Sequence, residues 1–421
     1  MSRLGTLGGM ATVVRVPRST LPPIVPVLAL GAFLMCTTEF LIAGLLPQMA
    51  GDFGVRPSQI GLLIMAFAVG MIVGAPVMAL ASLRLPKRAT LVLALATFGA
   101  GHVVAALSGS FELLFAARVL TGVVTGAFWS AATVVATRAA GPDSSTRALG
   151  VIGSGVALAT VLGVPLGSLA GEHLGWRGAF WALAALAVAA AAVIGRFTPG
   201  ERIGAAVSVR AEFRALRSVR LWLVLGGTVL LMGGCMGTFS FISPLLTERS
   251  GIPLELVPLV FVCFGAGSMI GTNGVGRFAD RRPVATLIAC ALAAALVLLL
   301  LIPLSANPVT AVIVITLLGV VSMAIPPVAT GLSVRLAGSA PTLAGALTVS
   351  AFNGGVATGS AIGGHTLNTS LGETGPATLG VVMVALGLIP LAVLAMRRAS
   401  RTKTSNDNHR VHACTAQPAR A

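Results

Sequence analysis

The chain has 421 residues, of which 56% are apolar and 10% charged, and its mean hydropathy is +0.96. So few charged side chains cannot cover a water-soluble surface of this size, so lipid is the solvent for most of the chain. The net charge of +16 does not point to nucleic acid: the excess falls in short segments between apolar runs and in the tails, where topology and contact with anionic lipid account for it.

Runs of about 20 apolar residues, the length that crosses a hydrocarbon core of roughly 30 Å, number twelve. They cover 24–47, 58–82, 89–108, 112–135, 148–170 and 178–196, then 220–246, 256–276, 284–304, 308–330, 341–366 and 375–396. The first is too long for the apolar core of a secretory signal and no A-x-A-like site follows it, so it reads as a retained span. The expected organisation is an N-terminal tail 1–23, a six-helix bundle 24–196, a linker 197–219, a second six-helix bundle 220–396 and a C-terminal tail 397–421. Residues 1–20 and 400–421 are polar and aperiodic, which predicts disorder. The linker carries Glu201, Arg202, Arg210, Glu212, Arg214 and Arg217 with amphipathic character. With the N-terminus inside, the outer loops hold Arg56, Arg177 and Arg249 and one arginine, Arg118, lies within a span; the rest of the 28 basic residues face inward, so both termini are expected in the cytoplasm.

An internal repeat joins the two halves. Phe67-x-x-Gly70-x-x-x-Gly74 followed by Arg84-x-Pro86 returns as Phe264-x-x-Gly267-x-x-x-Gly271 followed by Arg281-x-Pro283, each residue displaced by 197 positions. A constant offset of nearly half the chain indicates two tandem copies of one membrane unit, the arrangement by which many secondary transporters build a central site between halves.

The loop after the second span reads Ala79-Leu-Ala-Ser-Leu83-Arg84-Leu-Pro86-Lys87-Arg88, and its copy reads Gly276-Arg-Phe-Ala-Asp280-Arg281-Arg282-Pro283. The fourth span holds Leu114-x-x-x-Arg118-x-x-Thr121-Gly122, the fifth Gly163-Val164-Pro165-Leu166-Gly167, and the first Thr38-Glu39-Phe40-x-x-x-Gly44-Leu45-Leu46-Pro47. On these motifs the chain resembles the major facilitator superfamily from Ile24 to Met396, within the branch that holds chloramphenicol exporters and sugar or metabolite efflux pumps. The resemblance implies an all-α polytopic membrane protein of twelve transmembrane helices in two pseudo-symmetric six-helix bundles. It also implies a bacterial inner-membrane location and cytoplasmic gating by the loop residues Arg84, Lys87, Arg88, Gly276, Asp280, Arg281 and Arg282. Leu83 stands where the family has an acid and Ala79 where it has a glycine, so the first copy is expected to work weakly. Gly163, Pro165 and Gly167 resemble the glycine and proline antiporter element, in which small residues allow close approach and proline frees a carbonyl.

Glu39 is the one acid well inside the hydrocarbon, about 12 Å below the outer end of its helix, and Arg118 lies about 9 Å below the end of its own, at 1.5 Å per residue. A carboxyl and a guanidinium at similar depth have the parts of a proton switch. Glu39 is therefore the expected proton-coupling residue, and Thr38, Arg118, Thr121, Trp129 and Asn353 are candidates for the cavity. Arg118 reads equally as a packing anchor, Trp129 as a packing or lipid-facing ring, and Asn353, among Gly355, Gly359 and Gly363, as a packing residue. His102 and His365 lie near outer helix ends, where an interfacial histidine is the default, and Trp176, Trp181 and Trp222 read as interfacial anchors. Cys36, Cys235, Cys263 and Cys290 lie in spans and Cys414 in the tail without metal spacing, so free thiols and no cofactor or metal are expected. An intramembrane enzyme is disfavoured by the lack of G-x-S-G and H-E-x-x-H motifs, and a passive channel by the lack of a charged ring. The resemblance thus implies a monomeric, proton-coupled exporter of small amphipathic compounds, chloramphenicol-type antibiotics first, with a sugar or nucleoside-like metabolite exporter as the alternative. The expected partners are small-molecule substrate, protons and the bilayer.

Overall fold

A computed structural model of the chain describes residues 21–81, 85–141, 145–198, 216–337 and 341–415. These residues are helical, with no strand among them. The helices are α1 (Ile24–Phe53), α2 (Pro57–Ala81), α3 (Lys87–Leu107), α4 (Phe111–Ala140) and α5 (Ser145–Phe197), then α6 (Val219–Ser240), α7 (Val257–Gly274), the short α8 (Gly276–Arg281), α9 (Pro283–Leu304), α10 (Pro308–Ala337), α11 (Pro341–Thr366) and α12 (Gly375–Thr415). Gly175, at φ 71° and ψ 162°, breaks α5 into two arms, a conformation that only glycine adopts without strain. Among the described residues, nine helices are each long and apolar enough to cross a bilayer. The two arms of α1, bent by 47° between Glu39 and Gly44, make a tenth. The first arm of α5 offers only the shorter apolar stretch Gly150–Gly163, and α11, rich in Gly, Ser and Thr, is not among the nine. The tail expected to be disordered from residue 400 instead continues α12 to Thr415; the stretch 401–415 contains neither glycine nor proline, so nothing in the backbone stops the helix.

The repeat read from sequence is also a packing repeat. A Cβ on Gly70 would strike the Val119 carbonyl and one on Gly74 the Val123 backbone; 197 positions later, one on Gly267 would strike the Thr316 carbonyl and one on Gly271 the Val320 carbonyl. From the facing helices, a Cβ on Gly122 would meet the Phe67 carbonyl and one on Gly319 the Phe264 carbonyl. Thus α2 clasps α4, and α7 clasps α10, backbone to backbone. Lipid offers no hydrophobic drive between spans, so close approach over small residues supplies the dispersion contacts that hold them.

The two copies meet where α2 packs on α11 and α5 on α7. The Ser350 hydroxyl of α11 donates to the Ile72 carbonyl of α2 at 2.8 Å, and Gly61 of α2 leaves room for the Phe241 ring that follows α6. Within the first copy α1 lies along the first arm of α5, whose Gly155, Gly163, Gly167 and Gly171 sit against Ala29, Thr37, Leu41 and Leu45. Gly163 and Gly167 of the antiporter-like element therefore seat α5 on the helix that carries Glu39.

The clasp makes a testable contrast. Gly122→Ala should lower the melting temperature of the detergent-solubilised protein, by overpacking worth about 1–3 kcal/mol. Gly331→Ala, at a helical glycine of α10 with open space around it, should be neutral or stabilising by up to about 1 kcal/mol. Equal melting temperatures for the two variants would remove the clasp from the account.

Candidate functional site

Arg118, in the first half of α4, is 1% exposed and one of the largest fully buried side chains. A cation inside an apolar bundle needs partners from neighbouring helices, and two supply them. Its Nη1 donates to the Thr38 hydroxyl of α1 at 2.8 Å, its Nε to the Leu63 carbonyl of α2 at 3.4 Å, and its guanidinium carbon lies 4.7 Å from the centre of the Phe67 ring. Its Nη2 is buried and has no hydrogen-bond partner.

Thr38, fully buried, lies between Arg118 and His102, whose Nε2 is 2.8 Å from the same hydroxyl. His102 is 1% exposed. The sequence expectation of an interfacial histidine thus gives way to a core residue, because the ring finds both a carbonyl, Phe98 O at 2.8 Å from Nδ1, and a hydroxyl inside the bundle. It packs, tilted, between Phe98, at 4.2 Å between ring centres, and Phe180, at 5.6 Å. Phe180 meets Trp176 edge-on, and Trp176 meets Phe53. At the end of this column the Trp176 Nε1 donates to Asp52 Oδ2 at 2.9 Å, and Arg177 forms an ion pair with the same oxygen at 2.5 Å. The column ties α1, α3 and the second arm of α5 together from the α1–α2 turn down to His102.

Glu39 follows Thr38 and stands where α1 bends. Gly44 and Pro47 lie just beyond it; the proline has no N–H for the Ala43 carbonyl, which weakens the helix ladder there. Glu39 is half-buried and within electrostatic range of Arg118 and Cys36, but it makes no ion pair or hydrogen bond with either. Glu172 stands close to the Gly175 break of α5 and Asp407 in the polar extension of α12, so among the described residues Glu39 is the one carboxylate in the middle of an apolar helical stretch. Beyond the bend, a cavity of about 240 Å³ opens between the two copies, lined by Gly44 and Gln48 of α1, Glu172 of α5 and Ser243, Glu255 and Pro258 of the second copy.

The remaining candidates divide by hydrogen bonding. Thr121 donates to the Arg118 carbonyl at 2.9 Å and is satisfied on its own helix; Trp129 is half-buried and packed against the core. Asn353 is 2% exposed, its Nδ2 donating to the Val349 carbonyl at 2.9 Å and its Oδ1 without a partner. Gln48, one residue past the expected end of the first span but inside α1, also holds a buried, partnerless Oε1. Its signal was available as a polar amide in the apolar run of α1. Leaving such an atom unpaired costs about 1–3 kcal/mol; the buried hydroxyls of Thr198 and Ser333 are likewise without a partner. Among the loop residues, Lys87 is 3% exposed at the start of α3, and Arg88, Arg281 and Arg282 are exposed. Arg84, the surroundings of Gly276 and the side chain of Asp280 lie outside the described residues. Pro165 is buried within α5.

Thr38→Val removes the partner of two buried groups, whereas Thr121→Val removes one bond within a helix turn. The first should lower unfolding free energy by about 2–5 kcal/mol and the second by about 1 kcal/mol or less, read as thermal unfolding in detergent. Similar losses would mean that Thr38 does not hold the hub together.

The family model of the Major Facilitator Superfamily matches residues 28–364. A chloramphenicol resistance protein of Streptomyces lividans is 36% identical over 369 residues, 86% of this chain and 93% of that protein. The inner membrane transport protein YdhP of Escherichia coli (strain K12) is 32% identical over 375 residues, 89% of this chain and 96% of its own. Two solved structures share the fold: a bacterial homologue of the human lysosomal transporter Spinster, inward-facing and unoccupied, and the nucleoside transporter NupG. The TM-scores are 0.69 and 0.71 at 17% and 13% identity; the first match covers 90% of this chain and 96% of that one, the second 89% and 99%. With its apolar helices, duplicated clasp and buried arginine hub, the chain belongs to the Major Facilitator Superfamily and is a multi-pass membrane transporter, not an enzyme.

Proposed function

We propose that the protein is a proton-coupled exporter of small amphipathic compounds, with chloramphenicol-type antibiotics as the leading substrates. The observation that carries this reading is a half-buried carboxyl, Glu39, at the bend of α1, set within range of a buried guanidinium that has one nitrogen unpaired. The similarity to the Streptomyces lividans chloramphenicol resistance protein supports the substrate class. Recognition falls to the unpaired groups, the Arg118 Nη2 donor and the Asn353 Oδ1 and Gln48 Oε1 acceptors, which suit a neutral ligand carrying both hydroxyl or amide hydrogens and acceptor oxygens. Protonation of Glu39 from outside discharges substrate, and its deprotonation toward the cytoplasm restores the binding state. One proton moving inward supplies about 2.3 kcal/mol per 100 mV and about 1.4 kcal/mol per pH unit, enough for a concentration gradient above tenfold.

In this reading the chain works as a monomer in a bacterial inner membrane, with bundles 24–196 and 220–396 rocking about the linker 197–219 and both termini in the cytoplasm. The loops after α2 and around α8 gate the cytoplasmic side. A sugar or nucleoside-like metabolite exporter is the second reading; the fold shared with NupG is compatible with it, while the few polar groups around the hub favour a less polar ligand. Expression in a pump-deficient bacterium decides between them: protection against chloramphenicol supports the first, and export of labelled sugar or nucleoside with no such protection supports the second.

Two variants test the mechanism. Glu39→Gln keeps shape and removes titration, so gradient-driven efflux from vesicles should be abolished while downhill exchange persists; wild-type uphill rates would end the proposal. At the gate, Asp280 is present in the second loop while Leu83 replaces its counterpart. Asp280→Asn should therefore impair transport more than Arg84→Ala at equal membrane expression, and the reverse order would show that the asymmetry has no role.

A further inference from the structure

The hydrogen bonds around Thr38 have a fixed direction. The Phe98 carbonyl can only accept, so the His102 Nδ1 facing it at 2.8 Å carries a hydrogen. The Arg118 guanidinium can only donate, so the Thr38 oxygen 2.8 Å from Nη1 accepts. The single Thr38 hydrogen is therefore free for the His102 Nε2, 2.8 Å away. A second cation on the buried ring, sharing the Thr38 oxygen with the guanidinium, would add like-charge repulsion, so His102 is neutral, Nε2 is its acceptor nitrogen and the Thr38 hydrogen points to it.

Thr38 also departs from the commonest pattern of helical threonines here, with Thr272, which donates to the Met323 carbonyl at 3.1 Å, as another that reaches across helices. Thr37, its neighbour, and Thr125, Thr228, Thr316 and Thr348 donate back to the carbonyl four residues earlier, the usual way a threonine satisfies its hydroxyl in a span. Thr38 makes no such bond; its hydroxyl is committed to α3 and α4 instead. Without an acceptor on α3 the hydroxyl would turn to its own helix, and its remaining lone pair would no longer face the guanidinium. The second copy lacks this device: 197 positions on, Leu299 and Ile315 stand where His102 and Arg118 are.

We propose that His102 is the positioning residue for the membrane arginine: through the Thr38 hydroxyl it fixes a one-way hydrogen-bond chain, Arg118 Nη1–H to Thr38 and Thr38 O–H to His102 Nε2, that holds the guanidinium beside Glu39 with Nη2 free. The assignment of a transport role rests on the proton-coupled reading above; the tautomer and the chain do not.

Two experiments, one independent of transport, test it. In protein labelled with ¹⁵N-histidine at neutral pH, the signal lost in His102→Gln should show a protonated Nδ1 and an unprotonated Nε2. A protonated Nε2 overturns the proposal whether or not any substrate is exported. In vesicles at equal folded protein, His102→Phe and Thr38→Val should each lower the maximal rate of gradient-driven efflux by about tenfold, with KM changed less than about twofold. The double variant should be no worse than Thr38→Val alone, because serial links are not additive. His102→Gln, whose amide oxygen still accepts from Thr38, should retain at least about half the rate, and it carries the test if His102→Phe does not fold. Multiplying losses, or His102→Gln as poor as His102→Phe, overturns the positioning role. A tautomer as expected with no measurable export would instead count against the proton-coupled reading.

Discussion

A guanidinium held away from both water and lipid headgroups constrains the first copy more than any other group in it. Ordinary apolar packing cannot satisfy Arg118, so three helices bring polar or π-electron partners to one depth: the Thr38 hydroxyl from α1, the Leu63 carbonyl and Phe67 ring from α2 and, behind Thr38, the His102 ring of α3. The α2–α4 clasp is a precondition for this, since Gly70, Gly74 and Gly122 let the α4 backbone approach α2 closely enough for Arg118 to reach the Leu63 carbonyl. The glycine face of α5 then presses α1, and with it Thr38 and Glu39, toward the same centre.

The two copies share a frame and differ in chemistry. The clasp recurs with the same 197-residue offset down to the carbonyls that each glycine faces. The polar hub does not recur, because Ile315 and Leu299 fill the matching positions with apolar side chains. The second copy instead contributes Ser243, Glu255 and Pro258 to the lining of the cavity beyond the α1 bend, and under the proposed mechanism the titratable pair lies in the first copy alone.

Much of the frame was legible in the sequence because its signals are local or periodic. The glycine spacing of α2 and α7, the offset between copies, and Arg118 as a costly intramembrane charge all follow from residue type and position. Other features depend on partners far along the chain. His102 is 64 residues from Thr38, and periodicity does not tell which face of α3 meets α1, so the histidine read as interfacial. Thr38 and Thr121 both read as cavity residues, yet one is a cross-helix link and the other is satisfied within its own turn. The break in α1 was written in Gly44 and Pro47, but its consequence, a bend of 47° placed just after Glu39, needed the fold. The polar composition after residue 400 predicts an end to α12, whereas the helix runs on to Thr415 because no helix-breaking residue is present.

The central claim is that substrate and proton compete through Glu39 beside a fixed guanidinium. Proton release on substrate addition reads this most directly: purified protein in weakly buffered detergent solution, with chloramphenicol added and pH followed by a soluble dye. The account predicts release of a fraction of a proton up to one per wild-type molecule, set by how much of Glu39 is protonated beforehand, and none from Glu39→Gln. Equal release from both proteins, or substrate binding to the wild type with no release at any starting pH, would contradict it.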